Sequence, residues 1–380
     1  MPGSRTPGAL DGLRVVDFST LLPGPLATLL LAEAGADVVK VERPGAGDEM
    51  RSYTPRLGST SANFALLNRG KRSVTADLKD PEGHAAVWRL LTETDVVVEQ
   101  FRPGVLDRLG LGYEQVREAN PGVVYCSVTG YGQHGPMAQR AGHDLTYLAE
   151  AGLLDVVRDG AGDSPLPATV LADIAGGSYP AVLNILLALT ARARTGIGAH
   201  LDISMTDNVF PLAYTGIANH EATGDWPTPA AGLLTGGSPR YRVYRTADRR
   251  QLAAAPIEER FWARFCELIE LPDELRDDSV DPAKTIAAVA DRIAARSSVD
   301  WQRRFDGEDV CCAIVATQAE AHAALLENSE HQRHRVRGHG VDAMALPMPL
   351  APQLRGGPRA RSFPELGEHN SLLESVETGE

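Results

Sequence analysis

Short apolar segments of the strand type alternate with helix-like segments over the first two hundred residues of this chain. The strand candidates are residues 13–18, 37–42, 73–77, 95–101 and 123–129, and helical patterns occupy residues 26–34 and 81–94 between them. Strands that alternate with helices form parallel sheets with helices on both faces, and such sheets bind ligands at the carboxyl ends of their strands. The pattern predicts an α/β fold.

The remainder of the chain predicts a smaller, separate unit. Residues 173–194 favour one long helix, because Pro180 lies in its first turn and Gly196 follows its end. A hairpin at 241–255 and later helices indicate an α+β domain. The predicted domains are a large domain at 1–205, a linker at 206–240, a small α+β domain at 241–325 and a C-terminal segment at 326–380.

Charge and cysteine content narrow the class of protein. The formal net charge is −13, which argues against a nucleic-acid partner. Four cysteines without a CxxC pair indicate reduced thiols rather than disulfides or zinc. The first ten residues lack a signal-peptide core, and residues 181–193 are too short and polar to span a bilayer. We therefore expect a cytoplasmic protein without a membrane partner.

Two motifs predict little chemistry. Gly130, Gly132 and Gly135 form GYGQHG after a strand candidate, but a dinucleotide fingerprint must open a long helix, and Pro136 excludes one here. In the C-terminal segment His331, His334 and His339 are interspersed with arginines, which repel a cation. No metal site is expected.

Basic residues follow three of the predicted strands. Arg43, Lys79 and Arg102 come directly after their strands, and Arg108 follows six residues later. Each could be an ordinary solvated surface group. Together, at the ligand edge of an acidic protein, they indicate a site for a ligand with several phosphates.

Three titratable residues are candidates for catalysis, and each has a structural alternative. Asp173 could cap the long helix, His143 could be a hydrogen-bonded loop histidine, and Glu258 could be an acid in the first turn of a helix. Residue type alone leaves these alternatives open.

The order of the motifs supplies further information. The chain resembles CoA-transferase family III (CaiB/BaiF-like), and within it the α-methylacyl-CoA racemase branch, from residue 12 to about residue 330. The matching segments are GLRVVDF at 12–18, PGP at 23–25, GADVVKVERP at 35–44, SVTADLK at 73–79, RPGVLDRLGLG at 102–112, TGYGQHGP at 129–136, AGHDLTY at 141–147 and ADIAGG at 172–177.

The resemblance implies a Rossmann-like large domain and an interlocked homodimer, with an active site between the large domain of one subunit and the small domain of the other. Coenzyme A would enter as part of an acyl-CoA substrate, with no separate cofactor. The residues implied to contact it are Arg43, Ala76, Asp77, Leu78, Lys79, Gln100, Phe101, Arg102, Arg108, Gly142, Asp144, Leu145, Thr146 and Tyr147.

The branch also implies roles for the three titratable residues. His143 and Asp173 would exchange protons with the α-carbon of a 2-methylacyl-CoA, and Glu258 would orient His143. In the transferase branch the same aspartate would attack the thioester, which is the alternative reading. A CoA-binding protein without activity is a third reading, disfavoured by the intact trio. Pro256 replaces the small residue expected before Ile257 and Glu258.

Overall fold

A computed structural model describes residues 7–158, 162–327, 334–357 and 360–374. The chain forms two compact units. The first comprises the described residues of Met1–Ala151, Pro167–Pro211 and Asn328–Glu380, and the second those of Gly152–Leu166 and Leu212–Glu327.

The first unit is built on a parallel sheet, as the alternating pattern predicts. Its six strands lie in the order β5-β2-β1-β6-β7-β8, all parallel. The unit also contains a short β3–β4 hairpin. The strands are β1 (Arg14–Asp17), β2 (Asp37–Glu42), β3 (Arg56–Leu57), β4 (Thr60–Ser61), β5 (Arg72–Thr75), β6 (Val96–Glu99), β7 (Val124–Thr129) and β8 (Ala199–Ser204).

The sequence pattern missed the sixth strand, β8. It pairs only with β7 at the sheet edge, and its first residues are alternately half-buried and exposed. His200 and Asp202 alternate with the apolar residues of β8. A search for continuous apolar runs does not detect such an edge strand.

Seven helices accompany this sheet. They are α1 (Pro23–Glu33), α2 (Ala62–Asn68), α3 (Pro81–Thr92), α4 (Val105–Arg108), α5 (Tyr113–Ala119), α6 (Asp144–Glu150) and α7 (Tyr179–Thr195). Helix α3 shows how local sequence sets these boundaries: Asp80 caps it by accepting a hydrogen bond from the Gly83 amide, and Pro81 opens its first turn.

The predicted long helix has an unexpected beginning. Residues Ala172–Ser178 form a π-helical turn that runs directly into α7, so Asp173 lies inside helical structure and is not its N-cap. A Cβ on Gly176 would lie 2.4 Å from the Met205 carbonyl oxygen, so the glycine permits close packing of this turn on the backbone after β8. Widened turns of this kind recur at functional sites.

The combined helical segment Ala172–Thr195 is long and apolar enough to cross a membrane by length and composition. The prediction from residues 181–193 considered only part of this segment, because it stopped at the polar residues that flank the most apolar stretch. Several large apolar side chains of α7 are exposed on the single chain, among them Leu183 (58 %) and Leu187 (59 %).

The second unit is a three-stranded antiparallel sheet with helices. Its elements are α8 (Tyr214–Thr223), β9 (Arg242–Arg245), β10 (Gln251–Ala254), α9 (Glu259–Leu268), α10 (Pro282–Ala294), α11 (Ser298–Phe305), β11 (Cys312–Ile314) and α12 (Gln318–Glu327). Trp262, Phe265 and Trp301 are buried in its core.

Two segments differ from the predicted domain plan. Helix α8 occupies part of the expected linker at 206–240, because the glycine- and proline-rich composition begins only after this helix. The described residues of 152–166, expected in the large domain, belong to the second unit, where the Ala230 amide donates to the Val156 carbonyl (3.2 Å).

The C-terminal segment contains a small sheet that its polar, proline-rich composition did not predict. Strands β12 (Arg335–Gly338), β13 (Val341–Met344) and β14 (Ala360–Arg361) form it, and its residues group with the first unit. His331, of the histidine cluster considered above, lies outside the described residues.

Candidate active site

A cleft of about 450 Å³ lies within the first unit, where strands β1, β6, β7 and β8 end. This is the edge at which parallel sheets bind ligands. The lining residues come from the segments that follow these strands and from two later helical turns: Leu21, Pro23, Glu49, Gln100, Phe101, Arg102, Pro103, Val128, Thr129, Gly130, Ala138, Arg140, Ala141, Gly142, His143, Tyr147, Asp173 and Met205.

Asp173 is the acidic centre of the cleft. Burial raises the pKa of its carboxyl to about 6, the nearby Asp144 carboxylate adds to the rise, and His143 opposes it. Asp144 Oδ1 also accepts a hydrogen bond from the Asp173 amide (3.0 Å), which ties the start of α6 to the π-helical turn. A carboxyl group with this pKa can exist in both protonation states near neutral pH, as a proton-transfer group requires.

His143 lines the same cleft and is the N-cap residue of α6 rather than part of a short loop. Its backbone is fixed by Thr146, whose Oγ1 accepts from the His143 amide (2.9 Å) and whose amide donates to the His143 carbonyl (2.8 Å). The imidazole is exposed. The structure thus brings together the two residues that the sequence separates by thirty positions, and leaves the ring accessible to a ligand.

The glycine-rich motif serves packing. A Cβ on Gly130 would lie 2.6 Å from the Tyr147 ring, and one on Gly142 would lie 2.4 Å from the same ring. Tyr147 is buried edge-on against Tyr131, with ring centroids 5.3 Å apart. Gly130 of the GYGQHG motif and Gly142 therefore let the cleft wall close around a tyrosine.

The segment after β6 supplies the cationic side of the cleft. Gln100, Phe101 and the exposed Arg102, which were predicted to contact CoA, all line it. Glu99 is buried beneath them and accepts a hydrogen bond from the Phe101 amide (2.8 Å). Burial raises the pKa of Glu99 to about 7, with Ser127 and the Phe101 amide opposing the rise.

Other predicted contact residues lie outside the cleft lining. Exposed Arg43 follows β2, and Ala76, Asp77, Leu78 and Lys79 follow β5, so both groups occupy the same carboxyl edge of the sheet farther along. Arg108 is exposed at the end of α4, and Leu145 and Thr146 are exposed in the first turn of α6.

Glu258 belongs to the second unit. It is exposed at the N-cap of α9, and its carbonyl accepts from the amides of Phe261 and Trp262 (both 3.0 Å). Pro256, the departure from the expected motif, is buried just before it. The backbone of Glu258 is therefore hydrogen-bonded within the second unit, and its side chain is exposed to solvent.

Sequence patterns missed several cleft residues. Leu21 and Pro23 follow β1, Thr129 ends β7, and Met205 follows β8. The strand-end rule that selected Arg102 could have found the first three, whereas Met205 depends on a strand that was not predicted. Thr129 Oγ1 is buried and has no hydrogen-bond partner among the described residues.

Comparisons with known proteins agree with this geometry. A family model described as CoA-transferase family III matches residues 10–370. The human α-methylacyl-CoA racemase is 34% identical over 96% of this chain and 92% of its own length. The human succinyl-CoA:glutarate CoA-transferase is 32% identical over 96% and 85%. A crystal structure of a CaiB/BaiF family protein from Brucella suis has a TM-score of 0.81, with 30% identity, over 97% of this chain and 98% of that one.

Proposed function

The chain belongs to CoA-transferase family III, and on that premise we propose that it racemises the α-carbon of 2-methylacyl-CoA thioesters. The observation that carries the proposal is the shared cleft of Asp173 and His143, in which the pKa of Asp173 is raised to about 6. Inversion of a carbon by proton transfer needs one group on each face, and these two residues supply such a pair.

The proposed reaction is a two-base exchange. One residue of the pair removes the α-proton, and the electrons of the broken C–H bond move into an enolate on the thioester. The other residue, protonated beforehand, donates its proton to the opposite face and regenerates the C–H bond. The raised pKa of Asp173 suits it to act as acid or base, so either epimer can be the substrate.

Coenzyme A would bind along the carboxyl edge of the six-stranded sheet. Arg43 and Arg102 would face its adenosine and phosphate groups, residues 76–79 and Gln100 to Phe101 would contact adenine and ribose, and Arg108 would add a phosphate contact. Arginine forms bidentate contacts to phosphate oxygens, and these side chains are exposed at the ends of strands or helices. In this proposal CoA is part of the substrate, and no other cofactor takes part.

A homodimer would complete the site. The exposed leucines of α7 form an apolar face that a second copy of the chain could cover, an arrangement supported by the family resemblance. Glu258 of the partner subunit would then orient His143. We favour a second copy over a lipid surface because the same helical segment carries Asp173, a group that needs a closed, polar site.

We also propose that the protein acts in the cytoplasm.

Transfer of CoA between carboxylic acids is the second candidate. It is favoured by relatives that are CoA-transferases at nearly the same identity as the racemases. In that reaction Asp173 would attack the thioester carbonyl and release CoA as a thiolate. The thiolate would then attack the aspartyl carbonyl of the anhydride and release the donor carboxylate, and an acceptor carboxylate would take CoA from the aspartyl thioester by the reverse steps. His143 has no required proton-transfer role there.

Hydroxylamine distinguishes the two reactions, because it traps an activated aspartyl group. With 2-methylacyl-CoA present, racemisation predicts no label on Asp173 by mass spectrometry and full retention of activity. Trapping at Asp173, together with CoA transfer to added carboxylates by His143→Ala, would refute racemisation in favour of transfer.

A further inference from the structure

One wall of the cleft is a strained turn. Residues 18–22 connect β1 to α1, and Leu21 of this turn and Pro23, the first residue of α1, line the cleft. Leu21 has φ +63°, in the left-handed region that a leucine rarely adopts. Such a conformation persists only when surrounding contacts impose it.

Two buried charged residues impose this conformation. Asp48 Oδ1 accepts a hydrogen bond from the Leu21 amide (3.1 Å), and Lys40 Nζ donates to the Ser19 carbonyl (2.5 Å). Lys40 Nζ and Asp48 Oδ2 form an ion pair at 3.0 Å, and neither side chain has any solvent exposure. The backbone of the turn is therefore held at the Ser19 carbonyl and at the Leu21 amide by one ion pair.

The first residues of α1, which follow the turn directly, contact the helical segment that carries Asp173. Ser178 Oγ donates to the Pro23 carbonyl (2.8 Å) and to the Asp173 carbonyl (3.2 Å). On the other side, the Gly24 amide donates to Gln100 Oε1 (3.1 Å). A shift of the turn would thus be felt both at Asp173 and at the segment after β6.

The attraction between Lys40 and Asp48 does not by itself explain why this buried ion pair is present. Replacing a buried ion pair by apolar residues of similar volume is often neutral or stabilising, because two charges no longer have to be removed from water. Lys40 and Asp48 nevertheless lie at the one place where their polar atoms reach a strained cleft turn. Apolar substitutes cannot reproduce the positioning of that turn, nor the hydrogen bond from the Met50 amide to Asp48 and the charge of Lys40 beside Asp17.

We propose that Lys40 and Asp48 are positioning residues for the reaction in the cleft, acting through the left-handed turn at Leu21. They touch no reacting atom. They hold Leu21 and Pro23 against the substrate and keep the π-helical turn of Asp173 in register. The proposal rests on the proposed function only for the choice of substrate, since CoA transfer would use the same cleft and the same aspartate.

The test replaces both charges at once. In Lys40→Met/Asp48→Leu neither charge of this pair is left without the other, although Asp17 loses one of its two cations. We therefore expect some loss of stability in urea, and activity is compared under conditions in which both proteins are fully folded. We also expect kcat for α-deuterium exchange of 2-methylacyl-CoA to fall at least tenfold, KM to change less than threefold, and a crystal structure to show Leu21 outside the left-handed region. If Lys40 and Asp48 served only the stability of the fold, the folded double variant would have the kcat of the wild type.

Two further variants complete the design. Asp48→Asn keeps an acceptor for the Leu21 amide, so it should retain more of the rate than the double variant and serves if that variant does not fold. Arg69→Met/Glu33→Leu removes another buried ion pair of the same unit, with Arg69 Nε 2.9 Å from Glu33 Oε1 and neither residue in the cleft lining. Its kcat should stay within twofold of the wild type.

The outcomes separate the two proposals. A wild-type protein that exchanges no α-deuterium contradicts racemisation, and the rate of CoA transfer then replaces exchange as the measure of turnover. Leu21 still at φ near +60° in the double variant, or a wild-type kcat after the turn has moved, overturns the positioning role. The crystal structure gives the first answer without any assay of activity.

Discussion

Two carboxylates of the first unit, Asp17 and Asp173, differ in how the chain compensates their charge. Asp17 is fully buried beside the turn at 18–22. Burial alone would raise its pKa, but Lys71 and Lys40, with the Ser19 and Thr28 hydroxyls, outweigh it and hold the pKa well below its usual range. Asp173 is half-buried in the cleft, where burial prevails and the pKa rises to about 6.

The pKa values of Asp17 and Asp173 differ because of the cations near each carboxylate. Lys71 Nζ is 3.1 Å from Asp17 Oδ2, whereas Asp173 faces another carboxylate, Asp144, and is opposed only by His143. A carboxylate that holds the fold together is paired and stays ionised. One left without a strong cation can change protonation state at neutral pH, which is the property that proton transfer uses.

The largest expected effect removes the second proton-transfer group of the cleft. His143→Ala should lower the rate of α-proton exchange by about 10²- to 10⁴-fold, the usual size of a general acid–base contribution. The affinity for substrate should change much less, because the imidazole is exposed and the Thr146 contacts involve its backbone. Exchange rates and calorimetry measure the two quantities. His84→Ala, outside the cleft lining, is the control and should exchange at the normal rate.

Breaking the ion pair between Lys71 and Asp17 tests whether the buried Asp17 carboxylate depends on its cation. Lys71→Met leaves a buried carboxylate without its nearest cation and should lower the free energy of unfolding by about 3–5 kcal/mol. The exposed pair Arg14–Glu93 offers a matched control, and Arg14→Met should cost less than about 1 kcal/mol. Equal losses in urea denaturation would mean that Asp17 does not depend on Lys71.

The arginines of the sheet edge should affect binding rather than chemistry. Arg102→Ala, and separately Arg43→Ala, should weaken the binding of CoA by about 1.5–3 kcal/mol each, the contribution of a charge-assisted hydrogen bond. Arg117→Ala is the control, since Arg117 is exposed and paired with Glu114 on α5. Unchanged affinity in both test variants by calorimetry would show that the proposed CoA site is wrong.

The smallest effect concerns stability and pH. The folded pKa of Asp173 lies above the unfolded value near 4, so the folded protein holds the extra proton between about pH 4 and 6. Its ionisation therefore lowers wild-type stability as pH rises through that range. Asp173→Asn has no such group and should be more stable than the wild type at pH 8, by about 1–2 kcal/mol after allowance for partial exposure.

Urea denaturation of Asp173→Asn at pH 4 and at pH 8 provides the comparison. The two proteins should have similar stability at pH 4, where Asp173 is protonated. A variant that is less stable than the wild type at pH 8 would indicate that ionised Asp173 is compensated as Asp17 is.

The parallel sheet could be predicted from the sequence because five of its strands are short segments that contain valine and alternate with helical patterns. The edge strand β8 alternates polar and apolar residues and was missed, and with it Met205. The three-stranded C-terminal sheet was missed because its strands are short and its composition is typical of an irregular tail.

Part of the cleft lining could be predicted from the sequence, but the geometry of the candidate site could not. Motif order selected His143 and Asp173, which do line one cleft, yet it suggested a helix cap where the structure has a π-helical turn. No local pattern shows that Asp144 accepts a hydrogen bond from the Asp173 amide, because that contact depends on how α6 meets the helix after it. The function of Glu258 stays a prediction, since the residue lies on the other unit.

The most direct test follows hydrogen at the α-carbon. A single epimer of a 2-methylacyl-CoA is incubated with the protein in deuterated water, and the product is examined by mass spectrometry and NMR. A cleft that transfers protons through Asp173 and His143 predicts one deuterium at the α-carbon and a mixture of both epimers, with the thioester intact. Recovery of the starting epimer without α-deuterium, while CoA is transferred to an added carboxylate, would contradict racemisation.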